Sequence, residues 1–143
     1  TMRQAKDANA DIEKLLSMNP EDENALLLKG EILAVSGEGE KALELINQVL
    51  ALNPFSEKAY LLKGSYFLAK QAFDKAIEVY DEALEINPNF AQAYHERGRV
   101  KLAKGDKQGS MEDMKRAIEL SPENGANING EYNNYEQQKN IPF

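Results

Sequence analysis

The segment "LEINPNFAQAY", residues 84–94, places an Asn-Pro pair, Asn87-Pro88, between two runs with helical character. The same break recurs in "LSMNPEDENAL" at Asn19-Pro20, in "LALNPFSEKAY" at Asn53-Pro54, and in "IELSPENGANI" at Ser121-Pro122. The prolines stand at 20, 54, 88 and 122, a spacing of 34 residues three times over. A fixed period of this length marks stacked supersecondary units. A residue that precedes proline is biased away from helical backbone, so each pair marks a joint between units.

Other columns hold the same period. Gly30, Gly64 and Gly98 align, as do Leu26, Tyr60, Tyr94 and Ile128. Ala8, Ala42, Ala76 and Ser110 keep one position small. Ile12, Ile46, Tyr80 and Met114 keep another large, and Leu16, Leu50, Leu84 and Ile118 a third. Within the unit at 57–90, residues 57–69 put Tyr60, Gly64 and Phe67 on one helical face, and residues 74–86 do the same with Ile77, Tyr80 and Leu84. This is the 3.6-residue period of amphipathic helices, and no sustained alternation supports strands. A glycine inside a helix costs roughly 1 kcal/mol against alanine. Its recurrence predicts a close approach of the two helices of each unit. Gly37 and Gly105 mark the turn inside a unit, where a left-handed residue ends the first helix. Gln71 holds that column in the middle unit, which predicts either a backbone cost or another turn geometry there.

Composition narrows the function. The chain has 143 residues, a formal net charge of -7, no cysteine and one histidine. That excludes a disulfide framework, a thiolate nucleophile, a thiolate metal site and a multi-histidine cluster. No nucleophile–base pair or glycine-rich phosphate loop is present, so no enzyme activity, cofactor or metal is expected. The longest apolar runs are as short as "ALLL" at 25–28, which excludes a membrane span. The basic run Arg97, Arg99, Lys101, Lys104 and Lys107 is interrupted by Asp106, and acidic residues follow it. Nucleic acid is therefore not an expected partner. No signal-like segment stands near the N-terminus. That does not fix the compartment, since a processed exported chain would look the same; the cytoplasm is slightly favoured over an exported mature form.

These columns resemble the tetratricopeptide repeat family, whose 34-residue units are helix-turn-helix hairpins. Residues 23–56 match through Leu26, Gly30, Leu33, Ala42, Ile46, Val49 and Pro54; residues 57–90 through Tyr60, Gly64, Phe67, Ala76, Tyr80, Ala83 and Pro88; residues 91–124 through Tyr94, Gly98, Ala117 and Pro122. The resemblance implies an all-α fold, a right-handed superhelix or solenoid forming a single domain over 1–143. Residues 3–22 then supply the second helix of a partial repeat, residues 125–137 a capping helix carrying Ile128, Tyr132 and Tyr135, and 138–143 a tail. The chain departs from the family at Lys29, Lys63 and Arg97, which precede the glycine where an apolar residue is usual. Their alkyl stems can cover apolar surface. Lys101 and Ser110 replace an aromatic and an alanine, so the third hairpin is expected to be the less tightly packed.

By the same resemblance the first helices line a concave groove, and the expected function is a non-enzymatic scaffold or adaptor that binds a protein or peptide there. The expected contact residues are Leu27, Glu31, Lys58, Leu61, Ser65, Gln92, His95, Arg99, Asn129 and Asn133. Leu27 and Leu61 are the expected apolar anchors. A lone histidine suits a groove wall better than catalysis. Some family members hold a chaperone's C-terminal carboxylate with lysines, an arginine and asparagines. The corresponding positions here are Leu27, Glu31, Leu62, Gln92 and Glu96, or, one unit on, Leu61, Ser65, Glu96, Ala126 and Gly130. Neither set is a carboxylate clamp. The alternative function is a spacer in a longer array or a module that self-associates through its terminal helices.

Overall fold

The computed structural model describes the backbone of residues 2–122 and side chains from residue 10 onward. Seven α-helices follow one another in this stretch: α1 (Met2–Met18), α2 (Glu23–Val35), α3 (Gly39–Leu52), α4 (Glu57–Ala69), α5 (Phe73–Ile86), α6 (Ala91–Lys104) and α7 (Lys107–Leu120). The expected cap at 125–137 and the tail lie outside the described residues. Two compact units divide the chain, Thr1–Tyr66 and Phe67–Phe143, with the division inside α4.

The Asn-Pro joints are built from local hydrogen bonds. Asn53 and Asn87 leave the helix with extended backbone, at φ -140° and -134°. Each side-chain oxygen then accepts from the amide two residues on: Glu21 to Asn19 at 3.2 Å, Phe55 to Asn53 at 3.1 Å and Asn89 to Asn87 at 3.1 Å. The asparagine carbonyls accept from Asp22, Ser56 and Phe90. Proline has no amide hydrogen to leave unsatisfied at such a turn. Side chains also cap the next helix at Asp22 and Ser56, which accept from Ala25 and Ala59.

The turns inside the hairpins share one pattern. The Glu38 amide donates to the Leu33 carbonyl and the Gly37 amide to the Ala34 carbonyl; Ala72 and Gln71 donate to Phe67 and Leu68, and Asp106 and Gly105 to Lys101 and Leu102. This is a Schellman closure, and its central residue is left-handed. Gly37 and Gly105 take φ of 86° and 101°, while Gln71 takes 58°. The middle hairpin therefore keeps the geometry and bears the strain of a side chain in the left-handed region, roughly 1–2 kcal/mol.

In the first unit α2 packs on both α1 and α3. Leu26, Leu27, Ile46, Val49 and Ala59 form its core, flanked by Leu16, Leu45, Leu50 and Leu62. In the second unit α6 packs on α5 and α7. Met114 and Ala117 form a core cluster there with Tyr94 and Ile118, and Val79, Tyr80, Ala83, Phe90, Ala93 and Val100 are buried as well.

Two packing expectations need correction. A Cβ built on Gly30 would meet only ordinary contacts, the Ala42 carbonyl and Ile46 Cγ1, both at 3.8 Å. The close approach is real at Gly98, where a Cβ would lie 3.1 Å from the Ser110 carbonyl oxygen and 3.2 Å from Asp113 Cβ. The third hairpin is thus closer-set than the first, not looser. Ser110 and Asp113 are both buried. The cause is an ionic clasp, in which Arg97 Nε and Nη2 donate to the two Asp113 carboxylate oxygens at 2.9 and 2.8 Å. Arg97 Nη1 reaches Asp81 on α5 at 2.7 Å, and Lys101 Nζ lies 3.0 Å from Asp113. The fork of Arg97 fits a carboxylate bidentately, so the charges fix the distance between the helices.

Candidate functional site

Each first helix buries most of its circumference and leaves a stripe in solvent. On α2 that stripe is Asn24, Leu28, Glu31 and Val35, residues three or four apart. Such spacing keeps side chains on one helical face. Leu28 is 41% exposed and Val35 89%. Leu27 is only 1% exposed and belongs to the core beside Ala59. The expected anchor Leu27 is therefore a packing residue, because α4 covers its side of α2. The apolar surface available on α2 comes from Leu28 and Val35. Glu31 belonged to the contact residues expected from sequence. Leu28 did not, because the turn of helix between adjacent leucines is about 100° and only packing decides which one is covered.

The equivalent stripe of α4 carries Lys58 and Ser65, both exposed, with Leu61 and Leu62 half-buried. On α6, Gln92 and Arg99 are exposed and His95 is half-buried. Arg99 Nη1 stands 3.6 Å from Glu96 Oε1, one turn away. This pair offsets the positive charge of the stripe. Glu31 is half-buried on its own stripe, and no described residue pairs with its carboxylate. Asn129 and Asn133 lie outside the described residues.

Near the stripes, charged side chains serve the fold. Lys29 pairs with Glu13 on α1 at 2.8 Å. Arg97, at the corresponding position of α6, is occupied by Asp113 and Asp81, and its guanidinium lies over the Tyr94 ring at 5.4 Å. The hydrogen bonds to Asp113 raise the Arg97 pKa further above its ordinary value, against burial, which pulls it down. The basic run around Arg97 thus contains a structural clasp. Sequence reasoning saw Lys101 as a departure but missed its partner. The signal was available: Asp113 stands in the column of Leu45 and Val79, so two charges replace two apolar residues in one hairpin.

At the joint between α3 and α4, Glu23 accepts hydrogen bonds from Ser56 Oγ and Asn53 Nδ2. These bonds, that from Ser56 first, hold its carboxyl below the usual range. Among the described residues no group of three His, Cys, Asp or Glu side chains is arranged to hold a metal ion, and no helix is long and apolar enough to cross a membrane.

Comparison with known proteins bears on the whole arrangement. Tetratricopeptide-repeat models match residues 2–66 and 91–124, and a further TPR repeat model matches 64–105. No curated protein sequence matches the chain. Among solved structures, the crystal structure of MamA aligns with a TM-score of 0.67 at 21% identity, over 96% of this chain and 93% of that one. The first TPR of Spaghetti (RPAP3), bound to the HSP90 peptide SRMEEVD, aligns with a TM-score of 0.71 at 20% identity, over 83% and 94%. The TPR2B domain of yeast Sti1, in its pHsp70 complex, gives 0.71 at 19% identity, over 81% and 97%. At such identities the likeness is one of fold. The three repeat models run without a gap from residue 2 to residue 124, across the hairpins and Asn-Pro joints described above, and the chain belongs to the tetratricopeptide repeat family.

Proposed function

We propose that this protein is a non-enzymatic interaction scaffold whose first-helix stripes bind a peptide or helix of another protein. The observation that carries the reading is the pair Leu28 and Val35, exposed on one face of α2 although neither is needed by the core. Burying an apolar side chain of this size contributes roughly 1.5–3 kcal/mol, so a few such contacts suffice for weak, specific binding. Two of the structural neighbours have protein partners, Spaghetti an HSP90 peptide and the TPR2B domain of yeast Sti1 a pHsp70 complex. The clamp residues that family members use for a C-terminal carboxylate have no counterpart here, so a chaperone tail is not the proposed ligand.

A peptide array probed with the parent protein and with Val35→Glu tests the reading. The parent is expected to select a subset of peptides that Val35→Glu loses, while Met18→Glu, exposed on α1, keeps it. An identical profile for the parent and Val35→Glu would remove the α2 stripe from the binding surface.

A second reading, self-association through the terminal helix, rests on a different observation. Leu15 on α1 is 49% exposed, whereas Val49, Ala83 and Ala117 in the same column are buried. Sedimentation over a wide concentration range separates the two readings. A monomer throughout removes self-association, and a concentration-dependent oligomer that Leu15→Glu abolishes supports it.

A further inference from the structure

We infer that the α2 stripe takes a cationic amphipathic helix, one that presents two apolar side chains seven residues apart with a lysine or arginine between them. This deepens the function proposed above and rests on the same surface. The stripe places Leu28 and Val35 two helical turns apart, about 10 Å along the axis. Glu31 sits between them, one turn from each. A helix laid along α2 meets that spacing with apolar residues at its own i and i+7 positions, which is the usual geometry of helix-in-groove recognition.

The charge of the ligand follows from what is and is not neutralised. On α6 the stripe carboxylate Glu96 already has Arg99 beside it. On α2 no described residue pairs with Glu31, while the one cation of that helix, Lys29, is held by Glu13 on α1. An apolar partner would bury the Glu31 carboxylate without compensation, and an anionic partner would add repulsion. Both are costly in a desolvated contact. A cation opposite Glu31 turns that cost into a charge-assisted hydrogen bond. The surroundings agree: between residues 10 and 66 carboxylates outnumber cationic side chains, whereas between 67 and 122 the two nearly balance. Lys58 on α4 is the cation exposed on the neighbouring first helix, and it stands in the column of Asn24 rather than of Glu31.

The test uses the whole chain and three fluorescein-labelled, acetylated and amidated helical peptides with a Leu-x-x-Z-x-x-x-Leu core, in which Z is Lys, Gln or Glu. Fluorescence anisotropy is expected to rank them Lys, then Gln, then Glu, with about a three- to tenfold span, in keeping with a part-exposed ion pair and the matching repulsion. Glu31→Lys should invert the ranking and Glu31→Gln should flatten it. Raising the salt should narrow the span. Both substitutions lie outside the core, and an unchanged melting temperature verifies the fold. Equal binding of all three peptides, abolished by Val35→Glu, overturns the charge assignment and leaves the α2 surface standing. Failure of all three to bind also overturns the inference, and the array with Val35→Glu then decides separately whether the surface binds other segments. A preference for the Glu peptide overturns it outright.

Discussion

A methyl group built on Gly30 in the α2–α3 hairpin would rest 3.8 Å from its nearest neighbours, but one built on Gly98 in the α6–α7 hairpin would lie 3.1 Å from a backbone oxygen. The two glycines hold the same column of the repeat. Around Gly30 the hairpin closes on Leu26, Ile46 and Val49. Around Gly98 it closes on Asp113, Arg97 and Lys101. The comparison teaches that a repeat pattern fixes where helices meet but not what sets the distance between them. An apolar interface settles at the separation that its side chains fill. A bidentate ion pair sets a shorter one, and glycine becomes a steric requirement rather than a tolerated cost.

The largest expected effect breaks the clasp. Asp113→Ala leaves the Arg97 guanidinium half-paired inside the protein and should cost about 3 kcal/mol, the usual consequence of removing one partner of a buried pair. In the first hairpin, Lys29→Met removes a pair that is open to water at both ends and should change stability by about 0.5 kcal/mol or less. Urea denaturation of both variants measures the contrast. Equal losses would show that the third hairpin does not depend on its charges.

The glycines should differ in sign. Gly98→Ala presses a Cβ against the Ser110 carbonyl, and overpacking costs about 1–3 kcal/mol. Gly30→Ala has room and should gain roughly 1 kcal/mol from helix propensity. Thermal melts that shift down for the first variant and up for the second would sharpen the comparison; a rise for both would break it.

Two smaller gains come from sites where the chain departs from its own pattern. The Ser110 hydroxyl is buried at the α6–α7 contact with no hydrogen-bond partner. Ser110→Ala restores the residue type of Ala42 and Ala76 and should stabilise by about 1 kcal/mol, since an unsatisfied buried hydroxyl costs at least that much. Gln71→Gly gives the middle turn the residue that both compared hairpins use and should raise the denaturation midpoint by an equivalent of about 0.5–1 kcal/mol. A lower midpoint for Gln71→Gly would mean that the Gln71 side chain contributes more than its strained backbone costs.

The smallest effect depends on pH and belongs to the first unit. Glu23 has a lowered carboxyl pKa because Ser56 and Asn53 donate to its charged form. A lowered folded-state value means that the stabilisation is complete above the ordinary carboxyl pKa of about 4 and disappears as pH falls through the folded value. Glu23→Gln should therefore be less stable than the parent at neutral pH, with the gap closing in acid. A gap of constant size from neutral pH to about pH 2 would show that the bonds do not depend on the carboxylate charge.

Much of this architecture was legible in the primary structure. The prolines at 20, 54, 88 and 122 and the apolar columns located every described helix. Gln71 in a glycine column left open a strained turn or another geometry, and the turn keeps its geometry with Gln71 left-handed. The proposed binding surface was less legible. Leu27 and Leu28 are adjacent leucines, and the choice of which to cover is made by α4, far along the chain. The clasp was hidden because Lys101 and Asp113 each look like a weak position when read alone. Only taken together, as two charges entering one hairpin, do they explain each other.

The Asn-Pro joints also bear on how the protein ages. Asparagine commonly degrades when the backbone nitrogen of the next residue attacks the side-chain carbonyl carbon, closing a succinimide ring and expelling ammonia. That attack requires an amide hydrogen to be lost from the following residue, and proline carries none. Asn19, Asn53 and Asn87 are each followed by proline, and each directs its side-chain oxygen to the amide one residue farther on. The asparagines of these joints are thus protected from the ordinary route of deamidation, although Asn19 is exposed. Ordinary deamidation should therefore spare the hydrogen bonds of these joints while it erodes other asparagine turns.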